Sequence, residues 1–94
     1  MTSVSGRWIR RKRREAIYAR DQHRCVYCEA TDCKLTLDHY RGRSNATENL
    51  VTACYSCNSS KQGKTINQWF KVLRSRGIDT RRVSRRIRWA LRRR

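Results

Sequence analysis

Residues 25–61 read CVYCEATDCKLTLDHYRGRSNATENLVTACYSCNSSK. Two Cys-x-x-Cys pairs bracket this stretch, Cys25-Val26-Tyr27-Cys28 and Cys54-Tyr55-Ser56-Cys57. Thiolates at this spacing can hold one ion from a tight turn. Two such turns supply four sulfurs, the closed tetrahedral set that structural Zn²⁺ prefers. A closed set leaves no position for water or substrate, so this zinc is expected to hold the fold and to take no part in chemistry. The chain has 5 cysteines, an odd number that argues against a disulfide framework. Cys33 is surplus and expected to be a loop or core residue. His23, two positions ahead of the first ligand, is expected to be a solvated loop histidine.

Working outward, Lys34 to His39 alternates polar and apolar residues, which suits a short strand. Gly42, Ser44 and Asn45 mark a turn-rich connection, and Leu50 to Ala53 reads as the returning strand. A helix is expected from Ser56 through Lys61, ending near Gly63. Thr65 and Gln68 form a potential capping box for the next helix, whose apolar face is Ile66, Trp69, Phe70 and Leu73, with Gly77 as its stop. Asp79 or Thr80 caps a last helix, at about 80–94, with Val83, Ile87, Ala90 and Leu91 as its apolar stripe. On the other side, residues 7–20 are helix-compatible, with Trp8, Ile9, Ala16, Ile17 and Ala19 as apolar surface and residues 1–6 as a loose tail.

At 94 residues, one domain over 1–94 is expected. A chain this short buries a small share of its surface and benefits from a staple. The net charge is +17, from 24 Lys+Arg against 7 Asp+Glu. That balance calls for a polyanionic partner, with nucleic acid first and an acidic membrane surface second. No apolar run is long enough to span a bilayer, so no membrane partner is expected. The first residues lack the apolar stretch of a secretory signal, and the expectation is a reducing, cytoplasmic setting.

The 25 residues between the knuckles are more than a simple zinc ribbon uses. They include Asp38-His39 at a strand end and Asn49 before the returning strand, while Asn58 directly follows the last knuckle cysteine. With these residues the sequence resembles the HNH endonuclease family, with Asn in place of His at the third position. The approach from Arg20-Asp21 to Cys28 resembles its zinc-bearing branch. The resemblance covers about residues 14–64. It implies an α+β fold, a ββα-metal, treble-clef-like core with a structural zinc and flanking basic helices. It also implies double-stranded DNA as substrate and products with 5′-phosphate and 3′-hydroxyl ends. Small stand-alone members resemble proteins of bacteriophages and mobile elements, some working beside terminase and packaging proteins, which would place this chain in a host cytoplasm. Tyr40, after the Asp-His pair, replaces the smaller aliphatic residue common in the family, and the following loop has no proline.

The residue types suit phosphodiester hydrolysis. An ordinary imidazole titrates near pH ~6.5, so His39 is suited to be the general base. Asp38 offers a carboxylate oxygen and Asn58 an amide oxygen, hard ligands for an octahedral Mg²⁺ or Mn²⁺. The resemblance assigns Asn49 to pinning the loop between the strands and aiming the base. Lys61, one helical turn after Asn58, is expected to reach a phosphate. Arginines crowd both ends, and Arg10, Arg11, Arg13, Arg14, Arg85, Arg88 and Arg92 are expected to bind the DNA backbone with little sequence preference. Two other readings compete with the nuclease. One is a non-catalytic zinc module binding DNA or RNA through its basic arms. The other is a basic assembly protein that docks a partner through its last helix.

Overall fold

The computed structural model describes residues 9–92. The tail 1–6, residues 7 and 8 of the expected first helix, including Trp8, and Arg93 and Arg94 of the last helix lie outside them. Helix α1 spans Arg11–Arg20, strands β1 and β2 span Leu35–His39 and Leu50–Cys54, and helix α2 spans Tyr55–Lys61. Helices α3, Ile66–Ser75, and α4, Thr80–Arg92, complete the described chain, and a single 3-10 turn at Thr47–Asn49 leads into β2. The mixed helices and small sheet are the α+β, ββα-metal arrangement expected.

The two strands pair antiparallel, with Asp38 opposite Val51 and His39 opposite Leu50. Side chains alternate between the faces of a strand, and each face here meets its own layer. Leu37, Leu50, Ile17 and Ile9 form one small apolar cluster under α1. On the other side Val51 and Ala53 join Tyr27, Trp69, Leu73, Val83 and Ile87 with three of the knuckle cysteines. The apolar stripes of α3 and α4 close over this second cluster. Trp69 is fully buried and meets the Tyr27 ring edge-on at 5.6 Å.

Local signals set the helix ends. The Thr65 hydroxyl accepts from the Gln68 amide at 3.1 Å, and the Gln68 side chain accepts from the Thr65 amide at 2.9 Å, a reciprocal box. At the far end of α3, Gly77 takes φ +82°. Its amide donates to Arg74 and that of Ile78 to Leu73, both at 3.0 Å, so a left-handed residue closes the last carbonyls. The Asp79 side chain accepts from the Arg81 amide at 2.9 Å and so opens α4.

Helix α1 departs from the expectation. It begins at Arg11, and Ala16 and Ala19 are exposed; Ile17 is its buried residue. Polar contacts anchor its C-terminal end instead. The Arg20 Nε donates to Asp21 Oδ1 at 2.7 Å and its Nη2 to Oδ2 at 3.0 Å, while Asp21 Oδ2 also accepts from the Thr52 amide at 2.8 Å. The same guanidinium reaches the carbonyls of Leu50, at 2.6 Å, and Thr47, at 3.1 Å. The Arg-Asp pair ahead of the first knuckle is therefore a clamp between α1 and β2.

Both partners are nearly closed to solvent, with side chains 9% and 0% exposed. Removing one leaves the other charge buried and unpaired, at a cost of about 3–5 kcal/mol. Asp21→Ala is expected to lower the thermal midpoint strongly. A midpoint unchanged by calorimetry would show that the clamp is not what fastens α1.

Candidate functional site

The first centre is the sulfur cluster. A turn presents Cys25 and Cys28, the end of β2 presents Cys54, and the first turn of α2 presents Cys57. Their four sulfurs all lie within 4.8 Å of one another. The Cys28 and Cys54 sulfurs are 3.7 Å apart. Sulfurs on a tetrahedral zinc at ~2.3 Å sit ~3.8 Å from each other, so the spacing fits. Backbone amides support the set: that of Cys28 donates to Cys25 Sγ at 3.5 Å, and that of Cys57 to Cys54 Sγ at 3.3 Å.

The ionisation of the sulfurs is that of a crowd wanting a cation. The Cys57 thiol donates to Cys25 and lowers its pKa to about 5 against the pull of burial. Burial, then the Cys25 charge, pushes Cys28 up to about 12. Cys57 itself is raised, first because its thiol is the donor to Cys25 and then by burial. One thiolate is favoured and its neighbours resist ionising, and a divalent cation removes that conflict. The cluster can therefore hold a zinc ion. His23 is exposed and stands apart from the four-sulfur set, and Cys33 is likewise exposed.

The second centre is a cleft of about 620 Å³ at the end of the hairpin. Asp38, His39, Asn58 and Lys61 line it together, with Arg41, Arg43 and Lys64 adding positive charge. Asp38 and His39 are neighbours on β1 but face different surroundings. Asp38 turns inward, where its Oδ2 accepts from the Tyr27 hydroxyl at 2.5 Å and lies 3.2 Å from the Lys61 ammonium. Burial pushes the Asp38 carboxyl up, and the Lys61 charge and the Tyr27 hydrogen bond oppose that. Tyr27 is pushed well above its ordinary value by burial and by the Asp38 charge, so its hydroxyl stays protonated and is the donor. Tyr27 stands between two of the knuckle cysteines. The turn that gathers sulfur thus also holds the carboxylate of the cleft.

His39 is half-buried, and its Nε2 lies 2.8 Å from Asn45 Oδ1. An amide oxygen only accepts, so Nε2 is the donor in this pairing. Asn45 is in turn held by Arg13, whose Nη2 donates to the Asn45 carbonyl and, at 3.1 Å, to the Thr47 hydroxyl. Asn49 ties the same loop from within: its Oδ1 accepts from the Arg41 amide and its Nδ2 donates to the Ser44 carbonyl, both at 2.9 Å. Gly42, at φ +63°, supplies the left-handed turn between them.

On α2, Asn58 is buried and its Nδ2 points to the Leu37 carbonyl at 3.5 Å, which leaves Oδ1 as its acceptor. Lys61 is only 8% exposed, so it is no solvated surface lysine. Its ammonium also donates to the His39 carbonyl at 2.8 Å and so ties α2 to the end of β1. Arg10, Arg11, Arg85, Arg88 and Arg92 are exposed, and Arg13 and Arg14 are half-buried. Arg14 donates to the Ile9 carbonyl at 3.2 Å.

Sequence reasoning missed Asn45 and Tyr27 as partners of the two central residues, and Arg41, Arg43 and Lys64 as part of the cleft. Asn45 carried a signal, as an amide in a short loop following the histidine. Tyr27 carried a weaker one, as the phenol inside a knuckle.

The family model described as HNH endonuclease matches residues 25–64. No curated protein and no solved structure matches the chain. Over residues 25–64 the chain is thus similar to HNH endonuclease domains, which act on nucleic acid. The match begins at Cys25 and ends three residues past Lys61, so it takes in the sulfur cluster together with Asp38, His39, Asn58 and Lys61 of the cleft.

The sulfur cluster gives a direct test. Cys54→Ser is expected to lose the bound zinc and unfold the domain, because in small domains the metal-binding free energy is folding free energy. Metal analysis with far-ultraviolet dichroism measures both. Full zinc content with an unchanged melt would show that the four sulfurs are not a staple.

Proposed function

We propose that the protein is a divalent-metal-dependent DNA endonuclease, with His39 as general base and with low sequence specificity. The observation that carries this reading is the pairing of His39 Nε2 with Asn45 Oδ1 in the cleft that also contains Asp38 and Asn58. With Nε2 donating to Asn45, the ring is held in one orientation, and an oriented base of this kind contributes about 10²–10⁴ in rate. Asn49 and Arg13 fix the loop that carries Asn45, so the orientation of the base is set before substrate arrives.

The donor set fits a hard divalent cation. Among the described residues Asp38 gives Oδ2 to Tyr27 and Lys61, which leaves Oδ1 for an ion, and Asn58 adds its amide oxygen. Asp38 and Asn58 would hold Mg²⁺ or Mn²⁺, which supplies Lewis-acid polarisation of the phosphate and stabilises the departing oxygen. Lys61 keeps its ammonium beside this carboxylate and adds positive charge to the cleft wall. Arg41, Arg43 and Lys64 attract the phosphate backbone there, and the exposed arginines of α1 and α4 extend the attraction along the duplex. The zinc is structural, the whole 94-residue chain acts as one nuclease domain, and the products carry 5′-phosphates.

Plasmid incubated with the protein and Mg²⁺ or Mn²⁺ is expected to be nicked or cut, and His39→Ala to be about 10²–10⁴ slower. Equal cutting by both would remove His39 from the reaction. Steep salt-dependent binding with no cleavage under any divalent metal would mark a non-catalytic zinc module instead.

A second outcome concerns aim. Asn45→Ala is expected to lower kcat while leaving the melting temperature nearly unchanged. Asn45→Asp, which keeps an acceptor oxygen, should recover much of the loss. If the alanine variant matched wild type, the loop amide would have no part in orienting the ring.

A further inference from the structure

The two oxygens of the Asp38 carboxylate have different surroundings. Asp38 is 5% exposed. Its Oδ2 accepts from the Tyr27 hydroxyl at 2.5 Å and lies 3.2 Å from the Lys61 ammonium. A carboxylate oxygen has about two acceptor positions. Both positions of Oδ2 are therefore filled, one by a phenol and one by an ammonium. Among the described residues Oδ1 takes no such donor, and Asp38 lines the His39 cleft together with Asn58.

Both donors are held in place by other contacts. The Tyr27 ring is buried and meets Trp69 edge-on at 5.6 Å. Its backbone is pinned through the neighbouring Val26 amide, which donates to the Thr52 carbonyl at 2.9 Å. The Lys61 ammonium also donates to the His39 carbonyl at 2.8 Å. Tyr27 stands inside the first knuckle, between Cys25 and Cys28. Lys61 stands on α2, one helical turn after Cys57 of the second. Each pair of cysteines thus brings one donor to the same oxygen.

Divalent ions differ in what they ask of a carboxylate. Ca²⁺ takes about 6–8 oxygens at ~2.3–2.6 Å and accepts both oxygens of one carboxylate. Mg²⁺ demands an octahedron at ~2.0–2.1 Å and keeps several waters, and Mn²⁺ shares the octahedral oxygen preference. With Oδ2 filled, Asp38 offers Oδ1 alone beside the Asn58 amide oxygen. Two protein oxygens suit an octahedral ion that completes its shell with water and phosphate. They withhold the second carboxylate oxygen that Ca²⁺ can use.

We propose that Tyr27 and Lys61 set which divalent ion the cleft accepts: by filling Oδ2 they hold Asp38 as a one-oxygen ligand, which favours Mg²⁺ and Mn²⁺ over Ca²⁺. Tyr27 is a positioning residue, acting through Asp38. This role rests on Asp38 and Asn58 being the ion ligands of the endonuclease reading, and it names what selects the ion there. It also gives the sulfur cluster a second consequence, since the turn that holds zinc fixes the phenol that restricts the carboxylate.

The test is Mn²⁺ binding to the zinc-loaded full chain, followed by electron paramagnetic resonance of the free ion, with Mg²⁺ and Ca²⁺ as competitors. No DNA is present, so the readout does not depend on cutting. In the parent, Mg²⁺ is expected to displace Mn²⁺ at a lower concentration than Ca²⁺ does. Tyr27→Phe keeps the ring and its packing but frees one position on Oδ2. It is expected to weaken Mn²⁺ about tenfold while Ca²⁺ holds or gains, so that the preference for Mn²⁺ over Ca²⁺ narrows. Lys61→Met frees the other position and is expected to narrow the same preference, which decides the matter if the phenylalanine variant loses its zinc or its fold. Equal weakening of every ion would make Tyr27 a support of the fold alone, and that result, or a preference unchanged in both variants, would overturn the proposal. Failure of the ion-site reading looks different: Asp38→Asn would then bind Mn²⁺ as the parent does, and both would fall. If Asp38→Asn loses Mn²⁺ while the preference stays fixed in the other variants, the ion site stands and the selection by Tyr27 and Lys61 does not.

Discussion

The convergence of four sulfurs from two distant turns is the constraint on which the rest depends. Cys25 and Cys28 lie ahead of the hairpin and Cys54 and Cys57 behind it, so a metal at the cluster closes the whole β1–β2 excursion as one loop. Cys54 ends β2 and caps α2, its sulfur accepting from the Cys57 amide. The same closure brings Tyr27 under Asp38, since Tyr27 is fixed between two of the ligands. A metal staple at the cluster would offset the cost of placing a buried carboxylate against a phenol and an ammonium in so small a core, because burying those groups opposes folding.

Electrostatics then divides the chain into paired and unpaired charge. The acids are few, and several are committed to structure. Asp21 clamps α1 to β2, Asp38 meets Lys61, Glu29 receives Arg86, and Asp79 opens α4. What remains is a large excess of exposed cation, on the rim of the His39 cleft and along α4. The small number of acids ties individual elements to one another, and the bases left over favour polyanions.

Much of the fold was legible because its signals are local. The knuckles, the alternation of β1, the Thr65–Gln68 box and the Gly77 stop each depend on residues within a few positions of one another, and each stands where the pattern put it. Helix α1 was the weak point. Its apolar residues suggested a packed face, yet Ala16 and Ala19 are exposed, and a salt bridge anchors the helix instead. A periodicity argument sees apolar spacing and is blind to an Arg-Asp pair whose value comes from the Thr52 amide and the Leu50 carbonyl, some thirty positions away.

The candidate site divides in the same way. By itself the sequence determined which atoms are present: four thiols at ligand spacing, an Asp-His pair at a strand end, Asn58 on the first turn of a helix, and a surplus of arginine. Side-chain chemistry and short-range spacing are properties of the chain alone. Only the tertiary structure decided their partners, giving His39 to Asn45 and Asp38 to Tyr27 and Lys61. Those choices depend on how loops close and which faces become buried, and neither is written in any short stretch of residues. Asp38 and His39, the centre of the stretch between the knuckles, are thus adjacent in sequence but set apart by their surroundings, one turned inward to a phenol and an ammonium, the other held at the cleft by an amide from its own loop.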